Sequence, residues 1–172
     1  RRKQNLKSRS SSMTPERYID NVRAEQESLR RFLLALCGGD GTIADDIAQD
    51  ALIRAYVASS NFRGLSKFST WLFRIAYNCY LDYRKKATIE TVSVDSKQVL
   101  DMPSGDDPDR SFRYQHLYQA LEQLQEKEKV VIVLYYFEDR SIKEIASILQ
   151  MPVGTVKYHL SNGRNHLRNF LQ

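Results

Sequence analysis

The donors turned outward between Val153 and Arg168 carry the clearest chemistry in this chain. Thr155, Lys157, Tyr158, Ser161, Asn162 and Arg164 alternate with the apolar positions Val153, Val156, Leu160 and Leu167, so one helix face is apolar and the other offers hydrogen bonds. Such a face near a helix N-terminus suits phosphates and base edges in a major groove. Upstream, Ile142, Ile145, Ala146 and Leu149 recur at helical spacing. Ser141 and Glu144 form an S-x-x-E capping box, and Pro152 stops the helix after Met151. Ser141 to Arg168 therefore reads as a helix–turn–helix, with an ordinary αα-hairpin and a solvated polar face as the alternative.

A second cluster lies between Asn61 and Lys86. Arg63, Lys67, Arg74, Arg84, Lys85 and Lys86 face a single acid, Asp82, and are interleaved with Phe62, Phe68, Trp71, Phe73, Tyr77, Tyr80 and Tyr83. Charge that follows a backbone, with rings that stack on unpaired bases, is what single-stranded DNA requires. An amide such as Asn78 can read the edge of a base drawn out of the stack. Helical spacing assigns Phe68, Leu72, Ile75, Ala76, Cys79 and Tyr83 to a buried face and leaves Trp71, Arg74, Tyr77, Asn78, Leu81 and Lys85 near the other side. About half of the aromatics should be core.

The third surface belongs to Ile43–Tyr56. Ile43, Ile47, Ala51, Leu52 and Ala55 bury one face, while Asp46, Gln49, Asp50 and Ile53 fall at i, i+3, i+4 and i+7 on another. Three polar groups beside an outward isoleucine suit a partner helix. On the residues alone, a solvated acidic face that complements the helix dipole accounts for them more simply.

These surfaces need helices to hold them. Apolar periodicity predicts helices over 16–37, ended by Gly38, Gly39 and Gly41; 43–59, capped by Thr42 or Asp40; and 69–86. Residues 87–111 lose periodicity. There Glu90, Asp95, Asp101, Asp106, Asp107 and Asp109 stand with Pro103, Gly105 and Pro108, the pattern of a flexible acidic linker. Helices return over 112–125, 127–137, 141–149 and 153–170, with the charges at Glu126–Lys129 read as solvated. The expectation is an all-α chain of two small helical domains, 13–86 and 112–172, behind a disordered basic tail, 1–12.

The net charge of +5 is concentrated in that tail. Five of the 26 Lys and Arg lie in residues 1–12, where no acid occurs, and the remaining 21 balance the 21 Asp and Glu. Function must then come from local patches rather than from a global field. The tail precedes Met13, which could serve as a natural start, and is set aside from the fold. Cys37 and Cys79 and the three histidines show no metal spacing, and a cytoplasmic protein with free thiols is the simpler reading. With no phosphate loop, nucleophile elbow or long apolar run, an enzyme, a cofactor, a small-molecule substrate and membrane insertion are not expected.

Taken in order, these motifs resemble the bacterial extracytoplasmic-function (ECF) sigma factors of the sigma-70 family, over essentially everything from Met13 onward. ADDIAQDALIRAY is similar to the clamp-binding helix of region 2, FRGLSKFSTWLFRIAYNCYLDYRKK to its promoter-melting segment, and LEQLQEKEKVVIVLYYFEDRSIKEIASILQMPVGTVKYHLSNGRNHLR to region 4. The resemblance implies a protein that binds core RNA polymerase and directs it to promoters, under control of an anti-sigma factor. It implies that Asp46, Gln49, Asp50 and Ile53 meet the β′ clamp helices, with the β flap as a further polymerase contact, and that the linker threads toward the RNA-exit path. Phe62, Phe73 and Asn78, with Arg63, Lys67, Trp71 and Arg74 around them, would take the melted −10 strand. Lys157, Tyr158, Ser161 and Asn162, flanked by Thr155 and Arg164, would face the −35 duplex. Two departures stand out: Tyr158 replaces a residue usually small, and Asn162–Gly163 interrupts a stretch commonly rich in Arg and Ala. A stand-alone helix–turn–helix repressor leaves the 61–86 aromatics without a role. A mimic that only titrates an anti-sigma factor has no use for Arg63, Trp71, Arg74 or Asn78.

Overall fold

The computed structural model describes residues 12–93 and 108–172, with side chains from 12 to 91 and from 114 onward. The expected basic tail, apart from Ser12, and residues 94–107 of the expected linker lie outside the described residues. Thr14 starts α1 (Pro15–Leu36): its hydroxyl accepts from the Arg17 N–H at 3.3 Å, and Pro15 fills a first-turn position where no N–H is needed. Gly38 and Gly39 end it at φ +64° and +88°, with the Gly39 N–H returning to Leu34 O at 2.9 Å. Of the two candidate caps for α2 (Gly41–Ala58), Asp40 is the one used; its carboxylate accepts from Ile43 N–H at 3.1 Å. A 3-10 turn at Ser59–Asn61 and a loop through Gly64 lead into α3 (Phe68–Ser93).

Leu29, Phe32, Leu33 and Leu36 of α1 meet Ala44, Ile47, Ala51 and Ala55 of α2, and Leu72, Phe73, Ala76, Tyr77 and Tyr80 of α3 close the bundle. Each large side chain so buried contributes about 1.5–3 kcal/mol. The alanines of α2 let that helix approach closely.

The second half comprises α4 (Pro108–Glu122), α5 (Glu126–Ile132), α6 (Ile142–Leu149) and α7 (Val153–Leu171). A single π-helical turn, Val133–Phe137, extends α5; there the Glu138 N–H reaches back to Val133 O at 3.2 Å. The capping box of Ser141 and Glu144 is formed as expected, and Gln150 closes α6 in the left-handed conformation at φ +51°. Val130, Val131, Ile132 and Leu134 pack against Ile145, Ile148, Val156 and Leu160. Among the described residues every element is helical, the all-α arrangement the periodicity implies.

Two expectations need correction. The linker does not begin at 87: α3 continues to Ser93 because ATIETVS contains no breaker, and Thr88 and Thr91 donate back to the carbonyls of Arg84 and Ala87 at 2.9 and 2.6 Å. At its far end, Pro108 already begins α4. Nor are all the charges of Glu126–Lys129 solvated: Lys127 is exposed and Glu126 half-buried, but Glu128 and Lys129 are buried. Lys129, its side chain 3% exposed, donates to Leu36 O at 3.4 Å and Glu122 at 3.2 Å, which ties the carbonyl end of α1 to the second half. Glu128 is buried under His166, whose Nδ1 lies 2.9 Å from its carboxylate.

The halves lie against each other. The flank of α3 receives α6, α1 receives the turn after α5, and the buried apolar residues form one continuous cluster.

Candidate polymerase and nucleic-acid interfaces

On α2 the predicted stripe is real. Asp46 and Gln49 are exposed, Ile53 is 65% exposed, and Asp50 is half-buried. Arg54 holds Asp50 at 3.0 Å and also reaches Asp82 of α3 at 2.9 Å, which fixes the carboxylate's position on the helix. The apolar part is larger than the sequence reading allowed: Tyr56 and Val57, three and four residues beyond Ile53, are exposed too, Val57 at 74%. Extending the i, i+3, i+4 rule one turn further would have found them.

Between α2 and α3, Phe62, Phe68 and Trp71 form an aromatic cluster with centroids 4.9–6.0 Å apart, each partly exposed. Lys67, Trp71, Arg74 and Asn78 follow at i, i+4, i+7 and i+11 and share one flank of α3. Arg63, Lys67 and Asn78 are exposed, whereas Arg74 is half-buried under α6. Phe73 is not available to a base in this arrangement. It is fully buried, 5.1 Å from the Phe32 ring, with the Arg140 guanidinium 4.7 Å from its centroid. Tyr77, expected on the outer side, is buried as well. A single stripe understates the buried face because α3 is packed by α1 and α2 on one side and by α6 on another.

The donor face of α7 is presented as read. Lys157, Tyr158, Ser161 and Arg164 are exposed, and Thr155 and Asn162 are half-buried at its edges. Arg164 does not wave freely: its guanidinium sits 5.5 and 5.6 Å from the rings of Tyr135 and Tyr136. Gly163, which interrupts the family-like run, is buried against α5, and a Cβ there would meet Ile132 Cγ1 at 2.8 Å.

Among the described residues no group of three or more His, Cys, Asp or Glu could hold a metal, and no helix is long and apolar enough to cross a membrane. Burial pushes the Cys37 thiol up to about 12 and that of Cys79 up to about 11, so neither is an activated nucleophile.

A three-helix body with an exposed acidic–apolar stripe on α2, followed by a helix–turn–helix, is the arrangement that the resemblance to a transcription initiation factor implies. The comparisons agree: residues 22–89 match the family model described as Sigma-70 region 2, and residues 114–167 match Sigma-70, region 4. The chain is 40% identical to the ECF RNA polymerase sigma factor SigW of Bacillus subtilis, over 75% of each chain. It is 32% identical to the ECF RNA polymerase sigma-E factor of Escherichia coli, over 74% of this chain and 73% of that one. Among solved structures, the sigma factor RpoE of Bartonella quintana in complex with the anti-sigma factor NepR superposes with a TM-score of 0.79. That match has 25% identity and covers 90% of this chain and 96% of that one. CnrH, in complex with the cytosolic domain of CnrY, matches in fold with a TM-score of 0.73 at 23% identity, over 94% and 92% of the chains. The chain belongs to the ECF sigma factors of the sigma-70 family, and its function is promoter-specific transcription initiation.

Proposed function

We propose that this sigma factor docks on core RNA polymerase through the α2 face, captures the melted −10 strand on the loop before α3 and on its flank, and reads the −35 duplex with α7. Asp46, Gln49, Asp50 and Ile53, extended by Tyr56 and Val57, meet the β′ clamp helices, while the second half contacts the β flap. Arg63, Lys67 and Arg74 follow the displaced backbone, Phe62 and Trp71 stack on bases, and Asn78 reads the edge of a flipped one. Phe73 supports that pocket from within. Thr155, Lys157, Tyr158, Ser161 and Asn162 address the major groove, and Arg164, braced by two tyrosines, addresses phosphate. The working units are region 2, 13–86 with the extension of α3, and region 4, 112–172 with the start of α4.

The observation that carries this reading is the order of three differently built surfaces on a chain whose relatives are sigma factors. The polymerase performs the chemistry; this chain supplies recognition, in the cytoplasm, and an anti-sigma partner that covers the polymerase-binding faces controls it.

Run-off transcription with bacterial core polymerase over a randomised promoter library tests the assignment. Transcripts that depend on the chain and share a two-part upstream motif are expected. Asn78→Ala should lose promoter opening while keeping polymerase affinity. Unchanged opening by that variant would remove the −10 assignment.

A further inference from the structure

Cations on the recognition surfaces are held in two ways. In one, carboxylates hold them. Lys67 donates to Glu144 at 2.9 Å, which holds that carboxyl below its ordinary range, and Arg54 lies between Asp50 and Asp82. Arg164 is held differently. It is exposed on the donor face of α7, and among the described residues no carboxylate pairs with it. Its guanidinium lies 5.5 Å from the Tyr135 centroid and 5.6 Å from that of Tyr136, and the two rings meet edge to face, 5.0 Å apart at 78°. Both distances allow a cation–π attraction. A carboxylate would cancel the charge and take up N–H donors; two neutral rings restrain the side chain and do neither.

The π-helical turn supplies both rings. Side chains one residue apart on an α-helix do not face each other, yet Val133–Phe137 brings Tyr135 and Tyr136 to one guanidinium. Turns of this kind are frequent at functional sites. Tyr135 is half-buried against the core and Tyr136 is 54% exposed, so one ring is anchored while the other stands in solvent beside Arg164.

We propose that Tyr135 and Tyr136 are positioning residues for duplex recognition, a pair that orders Arg164 in advance for a DNA phosphate. The inference rests on the assignment of the α7 donor face to duplex DNA. An arginine ordered beforehand loses less freedom on contact, so the same charge gives a tighter phosphate bond. Such a contact fixes affinity and register rather than base choice.

A fluorescein-labelled duplex pool of random sequence tests this, because the phosphate contribution does not depend on base order. Binding of the full chain is followed by fluorescence anisotropy across a salt series. Arg164→Ala should lower the slope of log affinity against log salt by about one. Tyr135→Leu combined with Tyr136→Leu should bind about three- to tenfold more weakly with the slope unchanged, because the contact survives but is no longer ordered. Tyr135→Phe with Tyr136→Phe should keep the original affinity, and in the Arg164→Ala background the leucine pair should cost nothing further. Undiminished binding by the leucine pair overturns the positioning role and leaves the phosphate assignment of Arg164 standing. A loss that the phenylalanine pair shares, or that persists without Arg164, also overturns it, since the hydroxyls or a disturbed fold then account for the effect. Unchanged slope and affinity for Arg164→Ala remove the phosphate assignment itself, and the proposal with it. Should circular dichroism show the leucine pair to have lost helix, Tyr136→Leu alone, at the exposed ring, takes its place with the same outcomes.

Discussion

Replacing Gly163 by alanine should destabilise the second half, although alanine is the better helix former. Propensity alone favours the substitution by about 1 kcal/mol. Packing opposes it: the new Cβ would stand 2.8 Å from Ile132 Cγ1, 3.2 Å from its Cδ1 and 3.5 Å from Glu128 Cβ. The first is well inside the optimum of about 3.5–4.0 Å for two carbons. Ile132 cannot step aside, since it is β-branched, buried and held within the α5 face of the core. Overpacking of this kind costs about 1–3 kcal/mol, so the net loss is about 1 kcal/mol, or roughly 2–4 °C in Tm for a chain of this size. Thermal and urea unfolding of the full chain, followed by circular dichroism, measure it. The decisive comparison is a cycle with Ile132→Ala. Once that side chain is cut back there is room for the new methyl, and Gly163→Ala should then stabilise by about 1 kcal/mol, its propensity. A rise in Tm for Gly163→Ala in the otherwise unaltered chain would refute the packing argument.

Ser141→Ala removes the hydroxyl that accepts from Glu144 N–H at 3.2 Å, and should cost about 1 kcal/mol in urea unfolding. Ile53→Asp should weaken binding to core polymerase at least about tenfold in a pull-down titration, with stability unchanged within about 0.5 kcal/mol, because the side chain is exposed. Raising the Cys37 thiol from 9.0 to about 12 should slow its alkylation by iodoacetamide at pH 8 by more than about tenfold relative to an ordinary thiol, the loss of thiolate outweighing its greater nucleophilicity, read by mass spectrometry. The Glu144 carboxyl is held low in the folded state, so its contribution is fully present above the ordinary carboxylate pKa and is lost as pH falls through the depressed value; Lys67→Ala should move its titration upward, measured by NMR.

Much of this was legible because helical periodicity and capping are local. The capping box at Ser141 and the stripe Asp46–Ile53 depend on neighbours three and four residues away, and both stand where spacing put them. The α7 donors were equally plain. What spacing could not show was decided by distant chain. Phe73 and Tyr77 are buried by elements that no period in α3 reveals, and Lys129 finds its carbonyl partner on a helix 93 residues earlier. Gly163 looked like a defect in a helix until the facing Ile132 supplied its reason. The linker boundary failed for the opposite cause: 87–93 lacks an apolar stripe but also lacks any residue that stops a helix.

The π-helical turn at Val133–Phe137 makes the meeting of the two halves a matter of chain length. It accommodates one more residue than an α-turn, and Glu138 and Arg140 emerge from it toward α1 and α3. Each residue of an α-helix advances the azimuth by about 100°. Deleting a single codon within this turn lets the helix close in α-helical register with Glu138 and Arg140 near their present bearing, whereas an added residue, with no second bulge to absorb it, turns them by about 100°. An insertion here is therefore an angular change, which would alter the bearing of the helix–turn–helix half toward α1 and α3 without changing its composition.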